Sequence, residues 1–168
     1  MHGHSGCKSL YYAVLLLLAS ALSSPALPAN FSLTNILPSV NHGTSVAQTA
    51  DGRLFIAELG GAVKTYKNGT AYTLHQFPTS TARSEQGLFG LAEDPNFASN
   101  GWMYVHYFVF VNGGDQDYHV VMRFTVTNPL GTDPQFVAGS EYLIYRMPNL
   151  PSGASRHNGG QLIFGNDG

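Results

Sequence analysis

Asp51-Gly52-Arg53-Leu54-Phe55-Ile56-Ala57-Glu58-Leu59-Gly60-Gly61-Ala62-Val63-Lys64-Thr65-Tyr66-Lys67-Asn68-Gly69-Thr70 decides the fold of this chain. Three glycine turns, Asp51-Gly52, Gly60-Gly61 and Asn68-Gly69, cut it into short pieces rich in β-branched and aromatic side chains. Such pieces read as strands, and such turns reverse an extended chain within two residues. Strands are expected at 54–59 and 62–66, with 44–50 before them and 71–77 after. Together they make a four-stranded antiparallel meander.

The same grammar repeats downstream. A strand at 87–92 leads through Asp94-Pro95 and Asn100-Gly101 to a long one at 102–111. Asn112-Gly113-Gly114 turns towards 119–127, and a loop with Pro129, Gly131 and Pro134 precedes a fourth strand at 141–147. Residues 162–164 then open a third unit. His42-Gly43, Gln86-Gly87 and His157-Asn158-Gly159 each introduce the first strand of a unit, and Asp51, Asp94 and Asp167 each follow it. Repeated four-stranded units are the mark of a β-propeller, in which each blade is one sheet and its innermost strand lines a central channel. The fold class expected is therefore all-β, with about two blades and the first strand of a third, and the sequence as given stops at a turn where a returning strand is expected. A β-sandwich competes, since it too uses short strands and frequent turns; the recurring polar-glycine loop before each unit favours the propeller.

Composition agrees with an ordered β protein. Charged residues make up 11% of the 168, and aromatics, glycine and proline are frequent. The formal net charge of −2, without a basic run, points away from nucleic acid. Lys8 precedes an apolar run at 12–18, followed by small residues and Pro25, which reads as a signal peptide over 1–26 and a mature domain over 27–168. An uncleaved anchor is the alternative, but the run is shorter than the ~20 residues a span needs. The single cysteine, Cys7, would leave with the signal, so no disulfide is expected. Sequons at Asn30-Phe31-Ser32 and Asn68-Gly69-Thr70 fit glycosylation of Asn30 and Asn68 in a secreted, extracellular protein with no membrane span after signal removal.

In a propeller the loops leading into the innermost strands gather at one mouth of the channel. That would bring His42, Glu85, Gln86, Arg156, His157 and Asn158 together from distant parts of the sequence. His157 in such a funnel suits a general base; Glu85 and Gln86 suit the orientation of a hydroxyl or a cofactor carbonyl, and Arg156 suits an anionic group. Solvated loop duties are the plain alternative for all of them. Trp102, Tyr104, Tyr107, Phe108 and Phe110 read as packing between blades. Asp115-Gln116-Asp117 falls short of a calcium loop, and no zinc spacing, phosphate loop or nucleophile elbow is present, so no metal ligand is assigned.

Three motifs carry a family resemblance. Glu85-Gln86-Gly87-Leu88-Phe89-Gly90-Leu91-Ala92 with Asp94-Pro95-Asn96-Phe97 and Asn100-Gly101 resembles the glucose/sorbosone dehydrogenase family, which includes soluble quinoprotein aldose sugar dehydrogenases and hedgehog-interacting-protein-like proteins. His157-Asn158-Gly159-Gly160-Gln161-Leu162-Ile163-Phe164-Gly165 with Asp167-Gly168, and Asp51-Gly52-Arg53-Leu54-Phe55-Ile56-Ala57-Glu58 with Gly60-Gly61, are similar to two further signatures of that family. The resemblance implies a six-bladed propeller holding pyrroloquinoline quinone (PQQ), with calcium, at the channel mouth. It implies that His157 takes the proton from the C1 hydroxyl of an aldose while hydride passes to the quinone, and that Glu85 contacts the cofactor. Two departures stand out. Glu93-Asp94-Pro95 replaces a common Phe-His-Pro, placing a carboxylate where the family buries an apolar side chain. The family's basic quinone-gripping residues and its calcium loop belong to later blades. A secreted, non-catalytic propeller that binds a protein or glycan is the second functional expectation, and a product without activity is the third; the oligomeric state is open.

Overall fold

The computed structural model describes residues 30–37, 39–79, 85–111, 117–147 and 158–167. The expected signal peptide, the Asn112-Gly113-Gly114 turn, Asp115, Gln116, Arg156 and His157 lie outside them. The chain divides into Met1–Asn35 and Ile36–Gly168, and every strand belongs to the second part.

Four strands form the first sheet: β1 (Gly43–Gln48), β2 (Leu54–Glu58), β3 (Ala62–Lys67) and β4 (Thr70–Gln76), hydrogen-bonded in that order and antiparallel throughout. The two residues between β3 and β4, Asn68 and Gly69, have φ of 50° and 82°. Both lie in the left-handed region that a type I′ turn needs, and Asn and Gly are the residues that adopt it at least cost.

The second sheet contains β5 (Leu88–Glu93), β6 (Trp102–Val109), β7 (Tyr118–Thr127), β8 (Gln135–Phe136) and β9 (Tyr142–Arg146), with a single helical turn, α1 (Phe97–Asn100), between β5 and β6. One fourth strand was expected at 141–147; the structure fills that position with two. β8 pairs with Val126 and Thr127, β9 with residues 120–123, on one edge of β7. Ser140 bridges the gap: its hydroxyl accepts the Thr125 N–H (2.9 Å) and donates to the Val137 carbonyl (2.6 Å). A side chain thus replaces a missing ladder bond, which propensity cannot reveal.

Innermost strands of neighbouring units lie side by side. Thr44 Oγ1 donates to the Leu88 carbonyl (2.8 Å), and the Leu91 N–H donates to Ser45 Oγ (3.2 Å), so β1 and β5 run in the same direction. Gly160 and Leu162 approach Gly90, which places 158–164 next in line. Residues 162–164 were expected as a strand; among the described residues no neighbour pairs with them, and they are held by side-chain packing, such as Phe164 edge-on to Tyr104 at 5.2 Å.

The repeat extends to hydrogen bonds. Asp51 accepts the N–H of Arg53 at 3.2 Å, and Asp94 accepts the N–H of Asn96 at 2.9 Å, the same i→i+2 turn at the exit of β1 and of β5. Burial would raise the Asp51 carboxyl, but Lys67, Thr49 and the Arg53 N–H outweigh it and lower the pKa to about 2. Between the sheets lies the apolar core, with Phe77, Leu88, Met103, Val105, Phe124 and Val126 all essentially inaccessible. Glu93 departs from that pattern. Its Oε2 is buried without a partner among the described residues, and burial first, then the Asp51 charge, raises its pKa.

Candidate functional site

Glu85 and Gln86 lead into β5. Glu85 is exposed and takes φ of 65°, a left-handed conformation that a side-chain-bearing residue adopts at a cost of about 1–3 kcal/mol. Gln86 is fully buried. Seventy-three residues further on, Asn158 Nδ2 donates to the Glu85 carbonyl at 2.8 Å. The structure therefore joins the loop before β5 to the loop before 160–164, as the propeller reading expects.

His42, leading into β1, also takes a left-handed φ (53°); its Nδ1 pairs with Asn41 Oδ1 at 2.8 Å in an exposed position. Asn41 N–H donates to Glu58 Oε1 (2.7 Å), and the same oxygen pairs with Lys64 Nζ (2.7 Å). The cation bound into this network is thus neutralised. Asn30 and Asn68 are both exposed, the first in the part of the chain before Ile36 and the second at the β3–β4 turn.

Two histidines missing from the sequence-based list lie beneath the Asn158 loop. His106 on β6 and His119 on β7 are diagonal neighbours on one face of the sheet, 8% and 3% exposed, with His106 Nε2 2.9 Å from His119 Nδ1. His106 Nδ1 faces the Gly160 carbonyl at 3.4 Å, and the Asn158 side chain hydrogen-bonds the His119 ring. Phe89 covers both rings at 5.4 and 5.5 Å. A bulge between Leu88 and Gly90 leaves both Phe89 and Gly90 against His106, and returns Leu91 to the apolar face opposite Val105. Burial lowers the pKa of both: His119 to about 4, with His106 adding to the effect, and His106 despite its Gly160 contact. A signal was present in the sequence. His106 interrupts Trp102-Met103-Tyr104-Val105-His106-Tyr107-Phe108, and a polar ring in a buried strand requires a partner.

A cavity of about 390 Å³ lies away from these histidines. It is bounded by Gln48, Thr49, Leu91, Glu93, Phe97 and Phe164, at the exit ends of β1 and β5, opposite the loops that hold Glu85 and Asn158. Leu162, Ile163 and Phe164 close it on the side of the third unit.

Comparison with known proteins agrees with this geometry. The glucose/sorbosone dehydrogenase profile matches residues 40–168. The chain belongs to that family. Its fold resembles an oxidoreductase described as a glucose dehydrogenase from Thermus thermophilus (26% identity, TM-score 0.59, 76% of this chain and 35% of the other). It also resembles a PQQ-bound aldose sugar dehydrogenase from Streptomyces coelicolor (24%, 0.63, 84% and 41%) and the apo soluble aldose sugar dehydrogenase from Escherichia coli (21%, 0.60, 74% and 35%). This member of the glucose/sorbosone dehydrogenase family spans between a third and about two fifths of the length of these structures. Its sheets match propeller blades, as the strand repeat implied.

A tricarboxylate such as PQQ needs cations as well as hydrogen-bond donors. Asn158 Nδ2 donates to the Glu85 carbonyl, the Asn41 N–H donates to Glu58, and Lys64 is paired with that same carboxylate, so these described residues do not fit the carboxylates of such a group. No trio of His, Cys, Asp or Glu converges as a metal site among the described residues. Among them, too, no helix is long and apolar enough to cross a membrane.

Proposed function

We propose that this chain supplies the base-bearing flank of a quinone-dependent site that oxidises the C1 hydroxyl of aldose sugars. The Asn158–Glu85 hydrogen bond carries the reading: it ties the loop that follows His157 to the loop that bears Glu85 and Gln86. A PQQ group held with calcium would supply the hydride acceptor. His157 takes the hydroxyl proton on its imidazole nitrogen, Glu85 presents its exposed carboxylate to the cofactor or sugar, and buried Gln86 braces the loop behind it. The cations for the carboxylates come from residues other than those described. Secretion, with cleavage after residue 26 and glycans on exposed Asn30 and Asn68, is part of the same proposal and is supported by the apolar run at 12–18.

The test is dye reduction by the full-length protein with PQQ, calcium and a panel of aldoses, against His157→Ala. Activity that falls at least about 100-fold in the variant supports the assignment; no turnover with any aldose would refute it. The neutralised Lys64 and buried Gln86 favour one rival, a secreted propeller that binds a protein or glycan without catalysis. Retained glycan or protein binding alongside absent turnover would select it.

A further inference from the structure

We infer that His106 and His119 form a positioning relay that fixes Asn158 and Gly160, and through Asn158 the Glu85 carbonyl. The inference rests on the proposed function only for its catalytic consequence; the bonding stands apart from it.

The direction of each hydrogen bond follows from chemistry. A carbonyl can only accept, so His106 Nδ1 carries a proton for Gly160 O. A neutral imidazole then has a lone pair at Nε2, so the proton shared at 2.9 Å belongs to His119 Nδ1. His119 Nε2, the ring nitrogen turned away from His106, is left to face the Asn158 side chain, which hydrogen-bonds this ring. Asn158 Nδ2 donates to Glu85 O. Both rings are neutral in this arrangement, and the path begins at Asn158 and returns to the backbone two residues later at Gly160.

Packing makes the path rigid. Phe89 stacks on His119, with ring planes 22° apart, and Phe108 meets it edge-on. A Cβ on Gly160 would stand 2.2 Å from Phe89 Cβ, and one on Gly90 would stand 2.0 Å from Gly160 O, so both glycines are needed for the loop to lie this close to the sheet. Gly160 also has φ of 139°. The sheet therefore sets the loop position from below, immediately after His157. Neither histidine touches substrate in this scheme; both act through the loop.

The relay predicts an unusual pair of tautomers. Two-bond ¹H–¹⁵N spectra of the ¹⁵N-histidine-labelled full chain, without cofactor or sugar, should show His106 and His119 both as Nδ1–H. Two Nε2–H rings, or rings that titrate as independent exposed imidazoles, would overturn the proposal. His119→Phe keeps the aromatic contact and removes both nitrogens, so the Asn158 side-chain amide signals should move. His119→Gln restores a polar atom near the Nε2 position and should recover part of the shift. Unmoved Asn158 signals in folded His119→Phe would contradict the relay; if that variant fails to fold, the wild-type tautomers decide. Where sugar oxidation is present, kcat should drop about 10–100-fold with KM changed less than about threefold, as a displaced reacting group requires. Absence of turnover in the wild type would remove the catalytic consequence and leave the tautomer result standing.

Discussion

The two faces of the second sheet are built from the same strands to opposite ends. On one, Met103, Val105, Tyr107, Val120 and Phe124 meet the first sheet, and Phe77 wedges between Tyr107 and Phe124 at 5.5 and 5.3 Å. On the other, the alternate residues Tyr104, His106 and His119 meet residues 158–164. The first contact is apolar and non-directional, so its contribution scales with buried area. The second buries imidazoles that water would otherwise solvate, so its hydrogen bonds largely offset desolvation. One face holds the fold, and the other sets the position of a loop.

Four substitutions or conditions probe that contrast, in falling order of effect. Phe124→Ala in the apolar face should cost about 3–5 kcal/mol, read as a lower denaturation midpoint or as failure to fold; a loss below about 1 kcal/mol would put the core elsewhere. Gly160→Ala meets Phe89 and adopts a strained φ, and should cost about 1–3 kcal/mol while breaking the Asn158–Glu85 bond. Acid should act on the histidine face, and on His75 of β4, whose pKa burial also lowers. The folded pKa of His119 is depressed below its unfolded value, so the unfolded chain binds more protons between them. Stability is then complete above about pH 6.5 and falls by roughly 1–3 kcal/mol as the pH drops towards 4, a slope that His119→Phe should flatten. The smallest effect belongs to the first sheet: Lys67→Met should cost under about 1 kcal/mol and raise the Asp51 carboxyl from about 2, read by NMR titration.

The fold was largely legible because its turns declare themselves. Asp51-Gly52, Gly60-Gly61 and Asn68-Gly69 bound β1 to β4 within two or three residues of where the strands begin and end. Strand β8 escaped notice because two residues carry no period, and its interruption depends on the Ser140 side chain. The site was legible only where it sits in loops of recognisable composition: Glu85 and Asn158 were placed together in advance, and they meet. His106 and His119 were passed over because an aromatic strand reads as core on both faces. Only the bulge at Phe89 and the approach of Gly160 show that one face carries something else.

The central claim is that the histidine face positions and does not hold. Replacing both partners of a buried hydrogen bond by apolar rings leaves no orphan between them, so the double variant His106→Phe/His119→Phe isolates that claim. Unfolding free energy and the Asn158 side-chain amide signal should be measured on the same sample. The account predicts stability within about 1 kcal/mol of the parent or above it, with the Asn158 signal moved to that of an unanchored amide. A loss of several kcal/mol with the Asn158 signal unchanged would contradict it.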